Sequence, residues 1–406
     1  MPPRLSPNAF LAVIAAALGY FVDAYDLVLY NIVRVRSLSA LGVRGEALLT
    51  TGVDLLNIQL VGMLAGGVVW GVWGDRFGRR SVLFGSILSY SFATIANGWV
   101  DGIFGYAVCR LIAGLGLAGE LGAGVTLVSE LLPAKSRGYG TMIVAAVGVV
   151  GVCVASLVGD LLDWRKAYFV GGGLGLLLLG LRFGVRESGL FEAACVSQAL
   201  RGSLRLLFAQ RQRVARYVAI TLVALPIWCA ISVFVTFSPE LGTALGLSEP
   251  PSAARAVLFY YIGLTVGDLS SGYLSQRLHN RKRVIALFMG LFAVCLVLYP
   301  ILGSRSLTLY YTSVLSLGFA SGFWAIFITM SAELFGTNLR ATVATSAPNV
   351  VRGLAVPLTW FFKSYASSLG RVPTAMALGF AVLAVAAVSL RFLNETFGEP
   401  LDFLET

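Results

Sequence analysis

The chain has 406 residues, 57% of them hydrophobic and only 12% charged, with 46 glycines. Soluble domains carry about one quarter charged residues, so a water-facing globular surface is excluded and the apolar excess has to meet lipid. The net charge of +10 does not point to nucleic acid, because the cations cluster in short segments between apolar runs, where they set membrane topology.

Twelve apolar segments follow one another at 10–33, 50–73, 80–98, 102–130, 138–160, 165–184, 214–237, 254–276, 283–302, 306–331, 340–361 and 371–392. Most have the length of about twenty residues that crosses a bilayer. Glycine and proline inside them are compatible with membrane helix. The pattern predicts an all-α polytopic membrane protein. Arg4 precedes the first segment, but no small-residue cleavage site fits, so 10–33 is read as a retained helix. Placing both termini in the cytoplasm puts Arg4, Arg76, Arg79, Arg80, Lys135, Arg137, Arg182, Arg186 and Arg201 inside, with more cations there than outside. The longest loop, 185–213, contains a basic, partly amphipathic stretch from Gln198 to Gln212. Its Leu200, Leu204, Leu207 and Phe208 predict a helix along the membrane face. This linker separates an N-terminal bundle, 1–184, from a C-terminal bundle, 214–406.

Between the second and third spans lies Gly71-Val-Trp-Gly-Asp75-Arg76-Phe-Gly78-Arg79-Arg80. Glycine permits close backbone approach there, and Asp75 is placed to accept from arginines or a helix N-terminus. Gly272-Tyr-Leu-Ser-Gln276-Arg277 and Arg281-Lys282-Arg283 stand in the same place in the second half, with Gln276 where Asp75 stands. Glu130 and Arg137 close the fourth span as Glu333 and Arg340 close the tenth. The 71–80 stretch resembles the signature loop of the major facilitator superfamily. That resemblance implies twelve helices in two pseudo-symmetric six-helix bundles with a central path, and gating by this loop.

Ionisable residues inside spans are costly and mark function. Asp23, Asp26, Tyr30 and Arg34 follow one stripe of the first helix, with Asn31 beside it. Burial favours the protonated form of such acids; a helix-packing role is the alternative. The stretch resembles the first helix of proton-coupled symporters for phosphate, aromatic acids and other metabolites, which implies coupling at Asp26 with Asp23 as its neighbour. The fourth span carries Arg110, Glu120 and the glycines between them. Ten residues separate the two charges, roughly 15 Å along a helix, so they do not pair. The span resembles the fourth helix of that branch, implying that Arg110 takes part in coupling and that Glu120 lines the path; Glu120 is the second candidate proton site. Asp268, a further candidate for proton coupling, lies near the middle of the eighth span, and Arg352 lies inside the eleventh. Two readings stand: a salt bridge between them, or anion recognition by Arg352. Asn349, Trp228, Tyr260, Tyr261, Phe323, Trp324 and Phe327 are candidate walls of a substrate pocket, or simple interface filling. Trp360, Phe361 and Phe362 beside Lys363 read as an interfacial belt.

The segments around Glu187-Ser188 and Glu395-Thr396 also resemble loops of sugar and organic-ion carriers, but the paired glutamines of sugar carriers are absent from the seventh span. The aspartate that phosphate symporters show there is absent too. Cys109, Cys153, Cys195, Cys229 and Cys295 show no paired spacing, and the one histidine, His279, has no ligand neighbours, so neither disulfides nor metal are expected. No catalytic set or cofactor loop is present, so an enzyme is not expected. The expectation is a monomeric inner- or plasma-membrane transporter of a small organic anion, coupled to protons and working by alternating access. Export of organic cations or drugs, and sugar or phosphate symport, are the alternatives.

Overall fold

The computed structural model describes residues 7–45, 47–133, 136–184, 187–196 and 202–405. Arg4, Lys135, Arg186, Gln198, Leu200 and Arg201 lie outside them, as does the side chain of Cys195. The first half consists of α1 (Pro7–Ala40), α2 (Ala47–Phe77), α3 (Arg79–Asn97), α4 (Ile103–Leu131), α5 (Arg137–Leu161) and α6 (Trp164–Arg182). Two short helices, α7 (Gly189–Val196) and α8 (Leu204–Ala209), lead to the second half. There follow α9 (Arg211–Val223), α10 (Leu225–Cys229), a π-helical turn (Ala230–Val235), α11 (Ser238–Ala244), α12 (Ala253–Leu278) and α13 (Arg281–Gly303). The chain ends with α14 (Leu307–Ala320), α15 (Trp324–Glu333), α16 (Arg340–Gly353), α17 (Ala355–Tyr365) and α18 (Arg371–Arg391). Among the described residues there is no strand.

Three expected spans are broken. Pro226 lacks the N–H that would continue α9, and a π turn follows α10. Pro357 similarly cannot bond back to Gly353, where α16 ends. The tenth span divides into α14 and α15 at the turn Ser321–Phe323 without a proline. The stretch expected as a loop at 71–80 is mostly helix: α2 runs through Phe77, and only Gly78, at φ 96°, separates it from α3. In the linker, α8 has six residues, capped by Ser203, and its Leu207 is buried while Leu204 and Phe208 face outward.

Eight of the twelve spans are long and apolar enough to cross a membrane by composition alone. The other four are α3, α6, α12 and the α16–α17 pair. Each of these holds a buried charge, in turn Arg79, Arg182, Asp268 and Arg352. Outward-facing Phe92, Trp99, Phe104, Leu177 and Trp360 supply the lipid-facing surface, as an all-round apolar exterior requires. Phe361 joins them, but Phe362 turns inward against Phe237, with ring centroids 4.8 Å apart.

Within the halves, α1 packs on α5, α2 and α3 on α4, and α12 and α13 on α14. Between them, α2 lies against α16 and α12 against α5, so the second span of each half meets the fifth of the other. The glycines of α4 do not form one face. A Cβ on Gly114 would stand 2.2 Å from the Gln59 carbonyl of α2, one on Gly116 2.5 Å from the Tyr90 nitrogen of α3, and one on Gly122 2.2 Å from Thr345 of α16. Close packing by small residues is what holds membrane helices together. At α12–α14 the same contact is made by Gly318, where a Cβ would lie 2.1 Å from the Tyr260 carbonyl. Gly318→Val should therefore lower thermal stability in detergent by about 1–3 kcal/mol, the usual overpacking cost. Gly180→Val, with nothing within 4 Å of its position, should not. Equal melting temperatures for the two variants would refute this account of the interface.

Candidate functional site

A cavity lies between the halves, where α1 and α5 face the π turn, α12, α15 and α16. Its walls are apolar, from Ala24, Val28 and Val149, and aromatic, from Tyr20, Trp228, Tyr261 and Trp324. Trp228 and Trp324 meet edge-on at 6.3 Å, and the Trp324 indole donates to the Tyr20 hydroxyl at 3.1 Å, joining the halves. The cation of this cavity is Arg352. Its guanidinium lies 5.7 Å from the Trp228 ring centre, donates to Asn349 Oδ1 at 3.3 Å and reaches Asp23 Oδ2 at 3.4 Å. Arg352 Nε and Asp23 Oδ1 have no hydrogen-bond partner among the described residues. Of the two readings of Arg352, the bridge to Asp268 does not form; the acidic partner is Asp23, from the other half of the molecule. Asn349 adds a third crossing, donating to the Ala118 carbonyl at 3.1 Å.

Not every candidate wall reaches this cavity. Asn31 is exposed on the far side of α1, because it is one position off the Asp23–Asp26–Tyr30 stripe. Tyr30 donates to the Gly52 carbonyl at 2.9 Å and lies beneath Arg110. Tyr260 donates to the Ile227 carbonyl at 3.3 Å, and Phe323 and Phe327 are buried in the second half. Tyr20 and the α5 valines are wall residues that the sequence reading missed; Tyr20 stands three positions before Asp23, on its face of the helix.

The other acids of the first half have settled partners. Asp26 pairs with Arg110 at 3.0 Å and accepts from Thr94 at 3.0 Å. Arg110 also donates to the Tyr168 hydroxyl at 3.3 Å, and Tyr168 bonds Tyr106 at 2.6 Å. Glu120 is clamped by Arg182 through both carboxylate oxygens and accepts from Ser86 at 2.6 Å. Arg182, counted among the cytoplasmic cations at the end of the sixth span, is fully buried at the end of α6. Asp268 has no arginine; its Oδ1 accepts from the Ala325 N–H at 3.0 Å, at the start of α15.

One end of the molecule is closed by charged bonds. Asp75 accepts from Ala341 N at 3.0 Å, Thr342 N at 2.8 Å and the Thr342 hydroxyl at 2.6 Å, capping α16 from the other half. Gly71 makes room for this approach: a Cβ there would lie 2.8 Å from the Thr342 Cα. Glu130 takes Arg79 at 2.9 Å and, across the halves, Arg340 at 2.8 Å. Arg137 donates to the Glu399 carbonyl at 2.9 Å. Glu333 is held within the second half by Arg281, at 2.7 and 2.8 Å. Arg80 stacks on Phe84 while Arg76 is exposed, so neither crosses to the second half here. Glu187 accepts from the Arg80 N–H at 3.0 Å, and Glu395 from the N–H groups of Arg281 and Lys282 at 2.9 and 3.0 Å. The neighbouring Ser188 and Thr396 hydroxyls then donate to Glu130 and Glu333. The two segments singled out in the sequence thus do one job in each half.

The sequence profile of the Major Facilitator Superfamily matches residues 8–359. The niacin transporter NiaP of Acinetobacter baylyi is 29% identical over 383 residues, covering 86% of this chain and 86% of that one. The cis,cis-muconate transport protein of the same organism is 27% identical over 402 residues, covering 93% and 91%. Among solved structures, the proton:xylose symporter XylE bound to 6-bromo-6-deoxy-D-glucose superposes with a TM-score of 0.79 at 18% identity, covering 98% of each chain. At that identity the likeness speaks for the fold.

Because Glu130 is shared by two buried arginines from opposite halves, its loss should open the charged end. Stripping one partner from a buried ion pair costs on the order of 3–5 kcal/mol. In an Ala341→Cys background, Glu130→Ala should raise the rate of modification by a water-soluble maleimide about tenfold or more. An unchanged rate would mean that the Asp75 contacts alone keep this end shut.

Proposed function

Since the chain belongs to the Major Facilitator Superfamily, we propose that it carries a small organic anion across the membrane by alternating access. Residues 1–184 rock against 214–406, with 185–213 as the connecting linker. The observation that carries the anion reading is Arg352: a buried guanidinium at an aromatic cavity between the halves, bound to Asp23 by a single contact at 3.4 Å. A carboxylate fits its donor fork, and the rings of Trp228 and Trp324 suit an apolar or planar body. The names of the relatives, a niacin and a muconate carrier, favour the same substrate class. The bacterial relatives and the cation bias support an inner membrane with both termini cytoplasmic.

Proton coupling fits Asp23 better than Asp26, which the sequence reading put first. Asp26 and Glu120 are each held by an arginine of their own half that is not part of the wall around Arg352. Asp23 alone competes with an incoming anion for Arg352. The ionised carboxylate occupies the guanidinium; a proton on Asp23 releases it. Anion binding and protonation then favour each other, which is symport. The contacts of Asp75 and Glu130 close one side of the path, and Asp75→Ala should slow transport while sparing binding.

The test is a thermal-shift panel of niacin, cis,cis-muconate, xylose and an organic cation on the purified protein, followed by uptake into proteoliposomes across a pH gradient. A carboxylate should stabilise the wild type, more strongly as pH falls, and Arg352→Gln should erase that effect while the protein remains folded. Asp23→Asn should bind the carboxylate on the order of tenfold more tightly at neutral pH and lose the pH dependence. Stabilisation by the cation alone, or normal carboxylate binding in Arg352→Gln, would defeat the anion reading. Unchanged pH-driven accumulation in Asp23→Asn would defeat the coupling role.

A further inference from the structure

Asp268 is the one fully buried carboxylate among the described residues with no arginine in ion-pair reach. It stands on α12 where two backbones touch: a Cβ on Gly322 would lie 2.2 Å from the Gly267 carbonyl carbon and 2.5 Å from the Asp268 nitrogen. That contact carries the side chain to the Ser321–Phe323 turn, where α14 stops and α15 starts. Phe323, the residue before α15, offers no side-chain cap. Asp268 Oδ1 supplies it from the neighbouring helix, accepting from Ala325 N, as an aspartate at an N-cap would. Trp324 is the first residue of α15, and its indole is the one that bonds Tyr20 and faces Trp228.

We propose that Asp268 is a positioning residue: by capping α15 from α12, it fixes Trp324 in the cavity wall and thereby sets the affinity for the anion. The inference rests on the reading of the cavity as the anion site. The cap has a second effect. A broken helix beside a transport path ends in unpaired N–H groups that attract anions. With that end already satisfied by Asp268, the substrate carboxylate is left to Arg352. The cap uses only one oxygen; Oδ2 has no partner among the described residues, so an asparagine amide fits without losing the bond.

Incorporating 5-fluorotryptophan into the full chain gives one 19F signal for each of the seven tryptophans, and Trp324→Phe identifies the one from Trp324. Asp268→Ala should shift or split that signal while leaving in place those of the five tryptophans other than Trp324 and its neighbour Trp228. It should also weaken nicotinate binding by roughly fivefold, the population cost of a lost cap. Asp268→Asn should leave the signal, the nicotinate affinity and pH-driven uptake as in the wild type. Should Asp268→Ala not be recovered folded, Asp268→Ser, too short to span to Ala325, takes its place. An unmoved Trp324 signal in the uncapped variant overturns the proposal. So does an Asp268→Asn protein that binds nicotinate but no longer accumulates it across a pH gradient, since the charge and not the cap would then matter. The 19F arm needs no ligand, so a wild type that fails to bind nicotinate counts against the anion reading and leaves the positioning role to be judged by the spectrum.

Discussion

A carboxylate or guanidinium removed from water must find opposite charge or aligned donors, and this requirement organises the interior of the protein. Coulomb attraction grows as the surroundings lose polarity, but so does the penalty for a charge left alone. Each buried acid is accordingly matched: Asp26 with Arg110, Glu120 with Arg182, Asp23 with Arg352, Glu333 with Arg281. Asp75 is met by the N–H groups that begin α16, and Asp268 by one that begins α15. The matches differ in reach. Those within one half hold a bundle together and survive a rocking motion. Those between halves, Asp23–Arg352, Glu130–Arg340 and Asp75 on α16, would have to break or re-form in the proposed rocking motion.

The two halves repeat one plan at the charged end. Arg79 and Arg281 begin the third span of their halves and bond Glu130 and Glu333 at the end of the fourth. Glu187 and Glu395 meet the backbone N–H groups at the starts of α3 and α13. The departures from symmetry are what make a lock. Gln276, in the place of Asp75, packs against Gly138 at the start of α5 without bringing a charge. Glu130 reaches across to Arg340, whereas Arg137 bonds a backbone carbonyl of the C-terminal segment. The stronger half of the closure therefore runs from the first bundle to α16.

The breaks in the second half serve the cavity. The π turn after α10, the start of α15 after the Ser321–Phe323 turn and the end of α16 at Arg352 all border the same space. Helix interruptions free backbone groups that need partners, and here a carboxylate of α12 provides one at α15. The first half keeps its spans whole and contributes α1 and α5 as smooth walls. The cavity is thus asymmetric: cationic and aromatic on the second half, with Tyr20 facing it from the first and Asp23 of the first half reaching Arg352.

The sequence by itself determined the spans, since twenty apolar residues in a row have no stable place but lipid. It also determined the pairing of motifs between halves, and the burial of Asp23, Asp26, Arg110, Glu120, Asp268 and Arg352, because composition within a span leaves no polar surroundings; the burial of Arg79 and Arg182, read as cytoplasmic cations, it did not reveal. The separation of Arg110 from Glu120 followed from helix rise alone. What only the tertiary structure decided is who meets whom. Arg352 took Asp23 and not Asp268, and Glu120 took Arg182, which had read as a cytoplasmic cation. Asn31 faced away from the cavity and Tyr20 faced into it. Helical periodicity fixes which residues share a stripe but not the rotation of that stripe toward a partner. Rotation is set by where glycines let backbones touch, as at Gly122 on Thr345 and Gly322 on Gly267. Those contacts join residues hundreds of positions or dozens of positions apart, so no local pattern records them.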